Sequence, residues 1–190
     1  MKTKQLSIHK SSYIDKNVKI GDGTKIWHFS HICENTTIGN NCTIGQNVML
    51  GPDAQIGDGC KIQNNVSVFK GVILGDNVFC GPSCVFTNVN NPRAEINRKK
   101  EIKNTIVKDG VTIGANATIV CGITIGEYAF IGAGAVITKT VLPFSLMVGV
   151  PAKQVGWVSK AGIKLDKNLV CPLDGSKYYL EDNKLILSKS

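Results

Sequence analysis

Aromatic residues are scarce in this 190-residue chain, at 6%. Sites for single-stranded nucleic acid stack bases on aromatic rings, and neither a stacking motif nor a nucleic-acid fold signature stands here. The net charge of +8 therefore points to small anionic partners, phosphates or carboxylates, rather than to nucleic acid. No C-x-x-C pair occurs among the seven cysteines; Cys80 and Cys84 stand as C-x-x-x-C. An odd count without paired spacing argues against a disulfide framework and against a thiolate zinc site. No apolar run approaches a membrane span, and the opening "MKTKQLSIHKSS" holds no apolar signal core. A cytoplasmic protein without membrane contact is the expectation. Histidine is also rare. His9, His28 and His31, the last two only three residues apart, do not promise a convergent tetrahedral set, so no metal is expected.

What the chain does have is a beat of six. An apolar residue recurs at Ile8, Ile14, Ile20, Ile26, Ile32, Ile38, Ile44, Leu50, Ile56, Ile62, Val68, Leu74, Cys80 and Phe86. A second run follows at Val107, Ile113, Ile119, Ile125, Ile131 and Ile137. Four places after each stands a small or β-branched residue, such as Thr24, Cys42, Ala54 or Ala117. A helix of 3.6 residues per turn would scatter these isoleucines around its circumference. Three short parallel strands per turn, stacked as a triangular coil, keep them inside. Most cysteines then fall at small core positions, where a free thiol is at home.

Between the runs the beat fails. Val107 lies 21 residues after Phe86, not a multiple of six, and residues 87–104 are polar and basic. Arg93, Arg98, Lys99, Lys100 and Lys103 outweigh Glu95 and Glu101 there. A solenoid coil touches only its neighbours, so an insertion can loop out without breaking the stack. Long insertions of this kind are usually functional. "TNVNNPR" offers paired amide donors and acceptors with a proline to stiffen the turn. After Gly156 the hexads end, and "KYYL" and "KLIL" about "EDN" read as a short hairpin.

The repeat resembles that of the hexapeptide-repeat, left-handed parallel β-helix acyltransferases. "IWHFSHIC", "IGQNVMLG", "KIQNNVSVF", "VFCGPSCVFTNVNNPR", "IGANATIVCGITIGEYAFIGAGAVI" and "LMVGVPAKQVGWVS" are similar to blocks of one subgroup. These are bacterial N-acetyltransferases of nucleotide-linked 3-amino sugars, in particular UDP-2-acetamido-3-amino-2,3-dideoxy-D-glucuronate, in surface polysaccharide (O-antigen) synthesis. Asn90 departs from that pattern, standing where the subgroup has an aromatic.

The resemblance implies an all-β fold: a left-handed β-helix over residues 1–155 with an inserted loop at 87–104, then an appendage over 156–190. It implies a homotrimer with sites in the grooves between prisms. The implied reaction moves acetyl from acetyl-CoA to the sugar amine. Asn88 is the first candidate catalytic contact, with His28 beside it as a candidate base. His31, Gln46, Asn64, Asn65, Arg93 and Arg98 are candidate sugar-nucleotide contacts. For CoA it points to Gly114, Ala115 and Asn116, to Gly132, Ala133 and Gly134, and to Lys139 and Lys153. His9 is expected to be a bland surface residue. A dTDP-linked 3-amino-3,6-dideoxyhexose is the alternative acceptor, and a γ-type carbonic anhydrase the remote one.

Overall fold

The computed structural model describes residues 5–188. The hexads form strands of two residues, such as Lys25–Ile26, Thr37–Ile38 and Thr118–Ile119, each with a buried aliphatic residue beside an outward, more exposed one. Alternation along a strand sends neighbours to opposite faces, so one residue of each pair is enough to build a core.

Each strand pairs in parallel with the one 18 residues on, as in Ser7↔Lys25 and Tyr13↔His31. The outcome is a three-sided solenoid. The first sheet runs from Ser7–Ile8 and stacks eight parallel strands, the last being Ser145–Val148. The second begins at Tyr13–Ile14 with seven strands, and the third at Lys19–Ile20 with six. This is the all-β, hexapeptide-repeat architecture expected of a left-handed β-helix. Ile32, Ile44, Leu50, Ile62, Ile113, Ile119 and Ile131 fill the axis. Ile8 is exposed, and Ile14 and Ile20 are only half-buried. Among the described residues no coil lies beneath theirs, so the end of the axis is covered on one side only.

Three corners join the sheets. The first corner follows the first sheet, and so on round the coil. Many corners place one residue in the left-handed region, usually asparagine: Asn35, Asn41, Asn47, Asn65, Asn77 and Asn116 all have φ near 55–61°. A side chain that bonds locally makes asparagine tolerant of this conformation.

The insertion leaves and re-enters at the second corner of the fifth coil, between Val85–Phe86 and Thr105–Val107. Val72 still pairs with Thr105, so the register across it is 33 residues instead of 18. The stack resumes unchanged. The loop holds a bridge between Arg93 and Ile96 and one turn of 3₁₀ helix, Lys99–Glu101, the only helix among the described residues.

At the far end the chain turns back, and Lys153–Trp157 pairs antiparallel with Ser145–Val148. The hexad pattern held no sign of this return. A hairpin then forms as expected, Tyr178–Glu181 against Lys184–Leu187, around left-handed Asp182 and Asn183. Two adjacent left-handed residues match the twist of a tight hairpin. Its Tyr178 and Leu185 join Phe144, Leu165 and Cys171 in a second small core, with Tyr128 stacked on Phe144. All seven cysteines are free, and all but Cys33 are buried.

Candidate active site

Backbone hydrogen bonds trace one continuous column up the first corner. Asn47 N donates to His28 O (3.1 Å), Asn65 N to Gln46 O (3.0 Å) and Ser83 N to Asn64 O (3.0 Å). Asn116 N then donates to Pro82 O (3.0 Å) and Gly134 N to Ala115 O (2.8 Å). His28, Gln46, Asn64, Asn65 and both small-residue triplets, 114–116 and 132–134, therefore share one edge of the prism. Successive coils are about 4.8 Å apart.

The side chains along that edge differ in how far they are committed. Asn64 Oδ1 accepts from Gln46 N (2.9 Å), and Asn65 Oδ1 from the Asn47 amide (3.3 Å). Both asparagines thus brace the corner. Gln46 is exposed and its side chain has no partner among the described residues. Higher up, Ala133 and Gly134 are exposed, so a ligand there meets backbone. Gly114 is required by packing, because a Cβ on it would lie 2.5 Å from Ala133 N.

The loop candidates stand elsewhere, at the second corner. Asn88 is half-buried at the mouth of the insertion; its carbonyl accepts from Lys103 N (2.9 Å), and its side-chain amide is uncommitted among the described residues. Thr87 Oγ1 accepts from Cys121 N (3.0 Å), and the Cys121 thiol donates to Asn90 Oδ1 (3.0 Å). These bonds tie the loop mouth to the sixth coil. Arg98 is clamped in both oxygens of Glu101, at 2.8 and 2.9 Å. Arg93 is exposed and has no ion-pair partner among the described residues.

His28 and Asn88 are not neighbours within the chain: they sit on different corners, three coils or about 14 Å apart in height. His28 instead stacks on His9, with ring centroids 3.5 Å apart. His9 is half-buried. It also bonds Ser11 Oγ (2.8 Å), and partial burial with the nearby His28 and Lys10 pushes its pKa down. His31 points outward from the second sheet, Nε2 3.1 Å from Asp15 Oδ2. Asp15, His31 and Cys33 bring three possible ligand atoms within 4.8 Å of one another, a grouping the sequence did not announce. Burial, Asp15 and Glu34 push the Cys33 thiol up, the reverse of what a thiolate ligand needs.

Lys139 and Lys153 converge. With Thr138, Met147, Pro151 and Gln154 they wall a cavity of about 390 Å³ beside the top of the stack. The return strand brings Lys153 there, which hexad counting cannot show. Two further spaces open along the lower first corner, of about 440 and 260 Å³. A concavity of about 500 Å³ lies over the third sheet, beside Asp53, which takes a bond from Lys70 (2.7 Å).

The repeat and the prism together define a class. The profile described as bacterial transferase hexapeptide (six repeats) matches residues 17–52, 35–70 and 104–139. The chain carries this transferase hexapeptide repeat, and a sugar N-acetyltransferase stands among its relatives. This is dTDP-3-amino-3,6-dideoxy-α-D-galactopyranose 3-N-acetyltransferase of Aneurinibacillus thermoaerophilus, 44% identical over 81 residues, 41% of this chain and 42% of that one. The match to the first of these curated relatives spans less than half of either protein's length. Two solved structures share the fold. The acetyltransferase domain of PglB from Neisseria gonorrhoeae, bound to acetyl coenzyme A, superimposes with TM-score 0.54 at 17% identity, over 80% of this chain and 58% of that one. UDP-N-acetylglucosamine acyltransferase of Campylobacter jejuni gives 0.53 at 18%, over 80% and 70%. No helix among the described residues is long and apolar enough to cross a membrane.

Proposed function

We propose that the protein transfers acetyl from acetyl-CoA to the 3-amino group of a nucleotide-linked sugar. The observation that carries this reading is the single first-corner edge, which sets open Gly/Ala corners above corners bearing histidine and amides. The upper part suits CoA. Pantetheine is an amide-bearing chain that exposed backbone at Ala133 and Gly134 can meet, and Lys139 and Lys153 supply cations for its phosphates. The lower part suits a polar, anionic sugar nucleotide.

In the reaction the neutral amine attacks the thioester carbonyl, and a tetrahedral oxyanion forms. The oxyanion needs a fixed donor, which a backbone N–H supplies. Collapse expels CoA as thiolate, and the thiolate accepts the proton that the new amide sheds. A protein base is therefore not obligatory. Asn88 orients the amine by accepting one N–H through its side-chain oxygen. Because Asn88 and the first-corner column lie on different corners, a trimer in which one prism's loop faces its neighbour's first corner completes the site.

The acceptor we favour is UDP-2-acetamido-3-amino-2,3-dideoxy-D-glucuronate, with Arg93, which has no ion-pair partner among the described residues, reading its carboxylate. The relationship to the dTDP-3-amino-3,6-dideoxygalactose enzyme favours a second reading, a dTDP-linked 3-amino-3,6-dideoxyhexose. CoA release from acetyl-CoA with each acceptor tests both. Turnover with one and not the other selects it, and silence with both retires the substrate class. With the active acceptor, Asn88→Ala lowers kcat/KM by about 100-fold or more while the melting temperature holds.

A further inference from the structure

Asp15, His31 and Cys33 bring a carboxylate, an imidazole and a thiol together at the second corner, on the first two coils. The backbone fixes the grouping. Ile14 pairs with Ile32, so the residues that follow, Asp15 and Cys33, stand one above the other, about 4.8 Å apart in height. His31 and Cys33 are two places apart in one extended segment, so their side chains leave on the same face. Ile32 pairs in turn with Leu50, which puts Gly51 over Cys33, with no side chain there to roof the thiol. Tyr13 meets the His31 ring edge-on, centroids 5.5 Å apart. Three observations set this group apart from an ordinary exposed ion pair. His31 Nε2 faces both other atoms, Asp15 Oδ2 at 3.1 Å and Cys33 Sγ at 4.0 Å. A tetrahedral zinc ion with its usual bond lengths separates oxygen from nitrogen by about 3.3 Å and nitrogen from sulfur by about 3.6 Å. Two edges of that tetrahedron are thus nearly in place, and the third lies within 4.8 Å. Secondly, Cys33 is the one cysteine of seven that is not buried. Thirdly, Glu34 adds a second negative charge beside the thiol, paired only at 3.5 Å with Lys16.

We propose that Asp15, His31 and Cys33 bind a zinc ion that clips the first coil to the second. One carboxylate oxygen, one imidazole nitrogen and one thiolate suit a borderline-soft divalent ion, and water fills the fourth place. On binding, the Cys33 S–H proton passes to solvent. The imidazole binds through Nε2 as the neutral ring with its proton on Nδ1, and carboxylate and thiolate together balance the two positive charges. In the metal-free protein burial, Asp15 and Glu34 hold the thiol protonated; a divalent ion is the largest local charge and reverses that balance. The clip sits where the solenoid needs one. Among the described residues no coil lies beneath the first, Ile8 is exposed and Ile14 half-buried, and a terminal repeat lacks one of its two neighbours. The loop mouth stands three coils higher on the same corner, about 14 Å. The ion therefore takes no part in acetyl transfer, and His31 is a metal ligand rather than a sugar contact.

The untagged full chain, freed of metal with a chelator, is titrated with cobalt(II) followed by absorption and with zinc followed by heat. One ion per chain is expected. Cobalt should give the intense ligand-field bands of a tetrahedral site and a thiolate-to-metal charge-transfer band, both bleached by zinc. Cys33→Ser abolishes the charge transfer. Asp15→Asn raises Kd at least about tenfold, the loss that even an outer partner can cost. Both substitutions are close to isosteric, and circular dichroism of each variant stays that of the parent. A second measurement needs no substitution. On the parent chain zinc slows alkylation of Cys33, and it slows hydrogen exchange at the Tyr13 and Asp15 amides, which donate to Ser30 O (2.8 Å) and Ile32 O (2.9 Å). Exchange in the upper coils is unchanged. The inference is overturned if neither ion binds, or if zinc leaves Cys33 alkylation or first-coil exchange as it was. It is equally overturned if binding is indifferent to Cys33→Ser and Asp15→Asn, which would place the metal elsewhere, as on the stacked rings of His9 and His28.

Discussion

The first and third corners are built on the same backbone and use their side chains in opposite ways. At the third corner the side-chain oxygens form an unbroken ladder. Asp22 N donates to Asn40 Oδ1 (2.9 Å), Asn40 N to Asp58 Oδ1 (2.6 Å), Asp58 N to Asp76 Oδ1 (2.8 Å) and Asp76 N to Asp109 Oδ1 (2.9 Å). Glycines precede four of these residues, and Gly39 shows why. A Cβ there would collide with the Asp58 side chain and lie 2.7 Å from the Gly57 carbonyl carbon. At the first corner the equivalent bond occurs once among the described residues, from Gln46 N to Asn64 Oδ1. Below it stand histidine and tryptophan; above it, proline and then alanine. Where every polar group is matched to the coil above, the repeat is structure. Where the ladder lapses, groups are left for a ligand.

The sharpest break of this comparison is to remove the second-corner insertion. Excising fifteen residues from 87–104, to restore an 18-residue coil, abolishes acetyl transfer yet leaves the far-UV circular dichroism and a cooperative thermal transition, since each coil contacts only its neighbours. The reciprocal experiment strikes the ladder. Gly39→Ala costs about 1–3 kcal/mol, read as a drop of several degrees in melting temperature, while kcat of the folded fraction is unchanged. A subtler pair tests the cavity at the top of the stack. Lys139→Ala with Lys153→Ala raises KM for acetyl-CoA about five- to tenfold with kcat held; with dephospho-CoA the variant and parent converge. The smallest effect concerns Asp53, at the second corner. A hydrogen bond from Lys70, then one from Asn35, holds its carboxyl below the ordinary range. A depressed carboxylate stabilises the fold above its unfolded pKa of about 3.9 and loses that contribution as pH falls through the lower folded value. Melting curves of Asp53→Asn and the parent therefore coincide in strong acid and separate slightly above pH 5. The separation is small because the pair is exposed.

The solenoid was legible because its signal is redundant: one inward aliphatic residue every six places survives single exceptions such as Cys80. The hairpin around Asp182 and Asn183 was legible for a similar reason, apolar strands about a polar turn. Columns on a corner follow from steps of 18, which place 28, 46 and 64 together before any coordinates; the alignment of 82 with 115 needs the 33-residue register across the loop. Side-chain commitments were not legible. Arg98 looked as free as Arg93 until a turn of 3₁₀ helix brought Glu101 three residues away onto its guanidinium. The His9–His28 stack was hidden because 19 residues is one off the coil period, so the two rings meet diagonally rather than one above the other. The return strand carrying Lys153 has no periodicity to betray it.

The 33-residue register has a further meaning. Fifteen residues enter and leave at one corner, and the strands on either side meet as though nothing stood between them. Length at that point is decoupled from shape, so the insertion behaves as an exchangeable cassette on a fixed chassis. Loops of other lengths and sequences, spliced between Phe86 and Thr105, would change what the neighbouring edge can recognise without asking the prism to refold.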